Sequence, residues 1–331
     1  YGLVGSEMCI RDSLTYSNFK DLPSSLQTNV PALRHYFDLA PGKKLNFIIV
    51  DADEVSMAEV VSDWLHILID GCGGEIRFVA IDSVQEHSIL VANITDANSV
   101  ANYHAIKYDP VIVFLPVKFS TLMPDLTTGS ANRVGVFVSE TGKEAGLLLG
   151  RLATTPVQRH IGRVKDGAMP ITEFMIGDKK AEEADDRVAE VVAKGYITLG
   201  TIRGKSGYYY ETQPLATDPS GDYAIISNRR VIDKAVLIAY QTYVNELKDE
   251  IEIAADGTIA PGVIKHYQGL IENAINLQMT ANGNISRARA YMDAAQNVLS
   301  TGKIEVTLRI LPVGYAEEIV VNLGFTTSLD E

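Results

Sequence analysis

Apolar positions along this chain follow two rhythms, and the change from one to the other organises the molecule. From Leu45 to Val50 (LNFIIV) they run almost without interruption, as a strand buried on both faces requires. Met57, Val60, Val61, Trp64, Leu65, Leu68 and Ile69 then recur at intervals of three and four, which predicts an amphipathic helix. Ser56 stands at its N-cap position, and Gly71-Cys72-Gly73-Gly74 supplies the stop. Glu75–Ile81 (EIRFVAI) predicts the next strand, and an Asn- and Asp-rich helical stretch follows around Asp96–Ile106. Further strands are expected at Val111–Leu115 and Arg133–Val138, then a helix over Gly142–Ala153 with Leu148, Leu149 and Leu152 on one side. Apolar strands alternating with helices predict an α/β fold, a mostly parallel sheet with helices on both faces.

The pattern then changes. Pro156–Pro170 is basic and irregular, and the charge run Lys179–Asp186 (KKAEEADD) reads as the solvated first turns of a helix continuing through Val188, Val191 and Val192. Tyr196–Ile202 reads as a short strand and Gly204–Asp222 as a loop carrying Tyr208, Tyr209 and Tyr210. Val231, Ile232, Ala235, Ile238 and Ala239 mark a long helix ending near Lys248, and Pro261 suits the first turn of a second. Ile304–Ile310 alternates apolar with polar, as a half-buried strand does; Pro312-Val313-Gly314 breaks it, and Ile319, Val321, Leu323 and Phe325 form a second alternating strand. These elements predict an α/β domain over residues 20–203, then a C-terminal α+β domain over 204–331 with two long helices and a terminal strand pair. Tyr1–Ser13 has neither the layout of a signal peptide nor that of an amphipathic element, and resembles translated sequencing-adapter read-through. Residues 1–19 are therefore expected to be a non-native leader and linker.

Composition narrows the function more than the fold. A length of 331 residues suits two domains, and two cysteines, Cys9 and Cys72, exclude a disulfide framework or a cysteine-rich zinc site. Forty-two acidic residues against 29 basic ones give a net charge of −13, which argues against a nucleic-acid-coating protein. Apolar runs such as Val111–Val117 fall far short of the roughly 20 residues of a membrane helix.

Chemical motifs are missing: there is no P-loop, no H-E-x-x-H, no G-x-S-x-G and no C-x-x-C, and the six histidines show no ligand spacing. Asp51, Asp53 and Glu54 follow a strand, where open α/β sheets place ligands. Asp51 and Asp53 holding a metal on a doubly wound sheet is one reading; a helix-capping loop is the other. Arg151, Arg159, Arg163 and Lys165 read as a protein–protein surface. Arg229 and Arg230 open the long helix, where the macrodipole disfavours cations by about 0.3–1 kcal/mol, and so suggest an outside partner, acidic groups of a neighbouring molecule or of a second component, the alternative being solvated arginines.

The segments GKSGYYY (Gly204–Tyr210), DYAIISNRRVIDKA (Asp222–Ala235) and QNVLSTGKIEVTLRILPVGYAEEIVVNLGF (Gln296–Phe325) resemble the C-terminal half of contractile tail sheath proteins of phages and related injection systems. GLLLGRLATTPVQRHIGRVKDG (Gly146–Gly167) and the series from Leu45 resemble the α/β part of the same family, so the likeness spans roughly residues 30–326. It implies a subunit of a helical cylinder around an inner tube, contracting to drive that tube through a target envelope, in a virion tail or a cytoplasmically assembled apparatus. No cofactor, hydrolysis, nucleic-acid contact or membrane insertion is implied. The implied partners are neighbouring sheath subunits, the tube, and baseplate and terminator proteins. The strand with Ile319, Val321, Leu323 and Phe325 is expected to be lent to a neighbour by β-augmentation, the alternative being a hairpin within the chain.

Overall fold

The computed structural model describes residues 14–51 and 53–315. β1 (Leu14–Tyr16) leads into α1 (Ser24–Asn29) and α2 (Pro31–Leu39), and pairs antiparallel with β2 (Leu45–Phe47). β1 falls within the stretch expected to be leader and linker, and residues 1–13 lie outside the described residues. β2 also departs from expectation. The apolar run predicts a strand of the parallel sheet, yet the only strand partner of β2 among the described residues is β1.

The expected amphipathic helix is present as α3 (Met57–Glu59), a π-helical turn over Val60–Trp64, and α4 (Leu65–Gly71). Ser56 and Glu59 form a reciprocal capping box at its start. At its end Gly73 and Gly74 take φ of +56° and +80°, a region that side chains with a Cβ rarely enter. Next come β3 (Phe78–Ala80), α5 (His87–Ile106), β4 (Ile112–Val117), β5 (Ser130–Ala131), β6 (Val134–Val138) and α6 (Glu144–Thr154). β3, β4 and β6 form a parallel sheet in that order, with Ala80 opposite Phe114 and Leu115 opposite Val136. Every residue of β4 and β6 is buried, so the sheet is covered on both faces, as continuous apolar runs require.

α2 and α6 lie unusually close. A Cβ on Gly146 would sit 1.8 Å from the carbonyl oxygen of Ala32, so glycine is what lets the two backbones meet.

β7 (Met175–Ile176) and β8 (Lys179–Lys180) make a small hairpin before α7 (Asp185–Ala193), so the charge run is only partly helical. β9 (Leu199–Thr201) pairs with β10 (Tyr208–Tyr210), and β11 (Ala216–Thr217) pairs with β5. All three tyrosines of β10 are buried, which corrects the expected loop: alternation cannot reveal a strand whose residues are all aromatic and all enclosed. Tyr208, Tyr210, Leu215, Ala216 and Ile226 join the same core as the parallel sheet, so the first unit extends past residue 203.

The C-terminal part holds α8 (Ile226–Tyr243), α9 (Pro261–Ile275), β12 (Arg287–Tyr291), α10 (Val298–Thr301) and β13 (Thr307–Leu311). A separate cluster of Val231, Ala235, Ile238, Ile271, Ile275, Met279, Ile285 and Ala290 joins the two long helices to β12. No described helix is long and apolar enough to cross a membrane.

Candidate assembly interface

The expected strand at 304–310 is β13, but its partner is β12, which the sequence reading did not identify. The two run antiparallel, with Ala288 opposite Ile310, Arg289 opposite Arg309 and Ala290 opposite Leu308. Ala288, Ala290, Leu308 and Ile310 face the helices, while Arg287, Arg289, Tyr291, Thr307, Arg309 and Leu311 are exposed. A two-stranded ribbon is marginal alone and needs a helix or further strands to persist; α9 supplies the helix.

α9 also blocks one edge. The backbone N–H of Ala290 donates to Glu272 Oε1 at 2.8 Å, which occupies the outer side of β12. The outer edge of β13 pairs with no strand among the described residues. Such an edge templates strand addition. The four positions expected to form the lent strand, Ile319, Val321, Leu323 and Phe325, follow β13 in sequence and lie outside the described residues.

Arg229 and Arg230 are placed otherwise than expected. Both are only 7% exposed; Arg229 is paired with a carboxylate of the chain, whereas Arg230 meets carbonyls and leaves its Nε without a partner among the described residues. Arg229 donates to Asp233 Oδ1 from Nε at 3.1 Å and from Nη2 at 2.7 Å, one helical turn along α8. Arg133, at the head of β6, binds both oxygens of the same carboxylate at 3.0 Å, so Asp233 ties α8 to the parallel sheet. Arg230 lies over the ring of Phe78 and donates from Nη2 to the carbonyls of Leu152 and Thr155 at 3.2 and 2.7 Å. Burial pushes its pKa down to about 10, so it is still a cation at neutral pH. Neither arginine is solvated: the Asp233 carboxylate one turn away holds Arg229, and carbonyls at the C-terminal end of α6 hold Arg230, which offset both burial and the helix dipole. These two arginines are the joint between the two parts of the chain.

Asp51 and Asp53 are brought together, but as a turn. Asp51 Oδ1 accepts the backbone N–H of Asp53 at 2.9 Å, just before the capping box of α3. Among the described residues no group of three His, Cys, Asp or Glu side chains could hold a metal ion. The nearby cavity, of about 410 Å³, runs between Leu45–Val50 and Ile76–Ile81 and is lined mainly by apolar residues. Asp82 is among the residues that line it, its pKa pushed up to about 7 by burial and then by Glu144. The helix-capping reading of Asp51 and Asp53 is the one the geometry favours.

Of the basic set, Arg151 is buried and donates to the Asp166 and Gly167 carbonyls, and Arg159 and Arg163 share Asp166, so three of its four members serve a local loop. Exposed guanidiniums also stand on the ribbon, at Arg287, Arg289 and Arg309. Their signal was present: R-A-R-A-Y alternates with the period of a strand, though with alanine on the buried side.

Comparison with known proteins follows this geometry. The DUF2586 N-terminal domain matches residues 117–213, and the DUF2586 C-terminal domain matches residues 222–330. No curated protein matches the chain in sequence. Among solved structures, the anti-feeding prophage helical sheath in its contracted state superposes with a TM-score of 0.64 at 15% identity, covering 96% of this chain and 88% of that one. The sheath complex of the extracellular contractile injection system PVC, also contracted, gives 0.63 at 11% identity over 96% and 87%. The anti-feeding prophage baseplate gives 0.62 at 15% identity over 96% and 88%. At these identities the likeness is one of fold, and it extends over nearly the whole chain.

Proposed function

This chain carries both domains of the DUF2586 family on the fold of contractile sheath proteins, and from that premise we propose that it is a structural subunit of a contractile sheath. It polymerises with copies of itself into a helical cylinder around an inner tube. Contraction of that cylinder drives the tube through a target envelope. The supporting observation is the ribbon of β12 and β13: one edge is closed by Glu272 of α9, while the other pairs with no strand among the described residues. An edge built that way favours strands supplied by neighbours, through main-chain hydrogen bonds.

Ile319, Val321, Leu323 and Phe325 are the side chains we assign to the lent strand. Burying each in a neighbour contributes roughly 1.5–3 kcal/mol to assembly. The partners on this reading are further sheath subunits, the tube, and the baseplate and terminator proteins at the ends, within a tail-like apparatus. Residues 20–203 and 204–331 are the proposed division of labour between core and assembly.

Negative-stain electron microscopy of the purified chain tests the reading. Hollow cylinders of uniform diameter are the expected result. A monodisperse globular particle at all concentrations overturns it.

A further inference from the structure

The exposed face of the ribbon is electrically lopsided. Arg289 stands directly opposite Arg309, and Arg287 follows two residues along the same face. Like charges directly opposite on a strand pair oppose each other. Among the described residues, none of the three makes an ion pair or a side-chain hydrogen bond. Tyr291 and Leu311 flank them at 58% and 61% exposure. Arginine, tyrosine and exposed leucine on one rigid face are the composition of a protein contact rather than of a solvated surface.

Beyond the Tyr291–Thr307 end of the ribbon the sign of the exposed charges reverses. Glu305 is joined to Gln296 by its backbone N–H at 2.6 Å, and Ala294 accepts the N–H of Ile259 at 3.0 Å. Ala260 in turn donates to the carbonyl of Glu252 at 3.1 Å. These bonds hold the backbones of Glu252, Asp293 and Glu305 in one region of the C-terminal part, and all three residues are exposed with no ion pair among the described residues. The ribbon thus carries three cations on its exposed face, and three carboxylates lie off it, beyond its Tyr291–Thr307 end.

Two copies meeting basic face to basic face repel. Two copies meeting head to tail attract, and a head-to-tail contact that does not close on itself generates a helical polymer. We propose that the arginine face of one copy receives the Glu252, Asp293 and Glu305 end of a second copy of this chain. The inference rests on the reading of the chain as a self-assembling subunit and adds where copies touch and in which sense they point. A chain of net charge −13 needs such local positive surface if copies are to approach at all.

The test uses the full chain in two variants, Arg289→Glu/Arg309→Glu and Glu252→Lys/Glu305→Lys, each assayed alone and in equimolar mixture by sedimentation at physiological salt. Each alone is expected to raise the concentration needed for assembly at least tenfold, and the mixture to restore it, because each variant then offers what the other lacks. Circular dichroism checks folding, and Arg289→Gln/Arg309→Gln, which only removes the like-charge opposition, is expected to melt no lower than the wild type while assembling less well. Assembly of the arginine variants at the wild-type concentration overturns the inference, as does a mixture of folded variants that stays apart. Wild-type capture of duplex DNA that the arginine variants lose assigns the face to nucleic acid and overturns it too. A wild-type chain that never assembles contradicts the sheath reading instead, so the two failures are distinguishable.

Discussion

The parallel sheet and the C-terminal ribbon spend their apolar residues in opposite ways. Every position of β4 and β6 is buried, and Phe114, Leu115, Val134 and Val136 are fully enclosed. On the ribbon, Ala290 alone among the strand positions is buried, and Leu308 and Ile310 are half-covered. The sheet completes itself with its own helices. The ribbon stops at one helix and leaves β13 with an unpaired edge among the described residues. On the proposed reading, a subunit built this way keeps its stability in one region and offers the other to neighbours, so that assembly need not compete with folding.

The largest effect is expected at the joint between them. Asp233→Ala leaves Arg133 and Arg229 buried without their carboxylate, which should cost about 3–5 kcal/mol in chemical denaturation. If the two regions are independent, the loss will instead appear as a separate early transition of the C-terminal part.

Gly146→Ala tests the first region from another side. Its Cβ would meet the Ala32 carbonyl, so α2 and α6 must separate, at a cost of about 1–3 kcal/mol in thermal melting. Ribbon assembly should survive it whenever the chain is folded.

Leu308→Ala sharpens the contrast, because a half-covered side chain should cost the subunit about 1 kcal/mol while weakening polymerisation disproportionately. Equal losses in both measurements would mean that the ribbon is an ordinary part of the core.

The smallest effect belongs to a histidine pair inside the first region. His104, 1% exposed, shares a hydrogen bond of 2.8 Å with His66, and burial holds its pKa below the ordinary value, with Asp70 and Asp109 opposing that shift and Lys107 adding to it. Because the folded value is the lower, the unfolded chain takes up a proton first as pH falls through about 6.5. Stability should therefore fall with acidification below that point, and His104→Leu should flatten the profile in melts taken from pH 7.5 to pH 5.

What the sequence made legible follows the same division. Where burial is two-sided or one-sided along a helix, as in β4, β6 and α9, the apolar pattern reports it directly. β10 escaped because three buried tyrosines show neither alternation nor an aliphatic run. β12 escaped because its inward positions are alanines, too small to mark a face. β2 was legible as a strand but not in its partner, since an apolar run reports burial and not which edge it meets. At the interface, the arginines of α8 were conspicuous by position, and only the fold showed Asp233 waiting one turn away. The ribbon arginines were inconspicuous until β12 and β13 set Arg289 against Arg309.

The central claim is that the ribbon is completed by other copies and not by its own chain. Sedimentation velocity of a chain ended at Tyr315, run beside the full chain and with melting followed on the same samples, tests it most directly. The account predicts large polymers from the full chain, and from the shortened one a folded monomer melting within a few degrees of it. Polymers from the shortened chain, or a shortened chain that no longer folds, would contradict it.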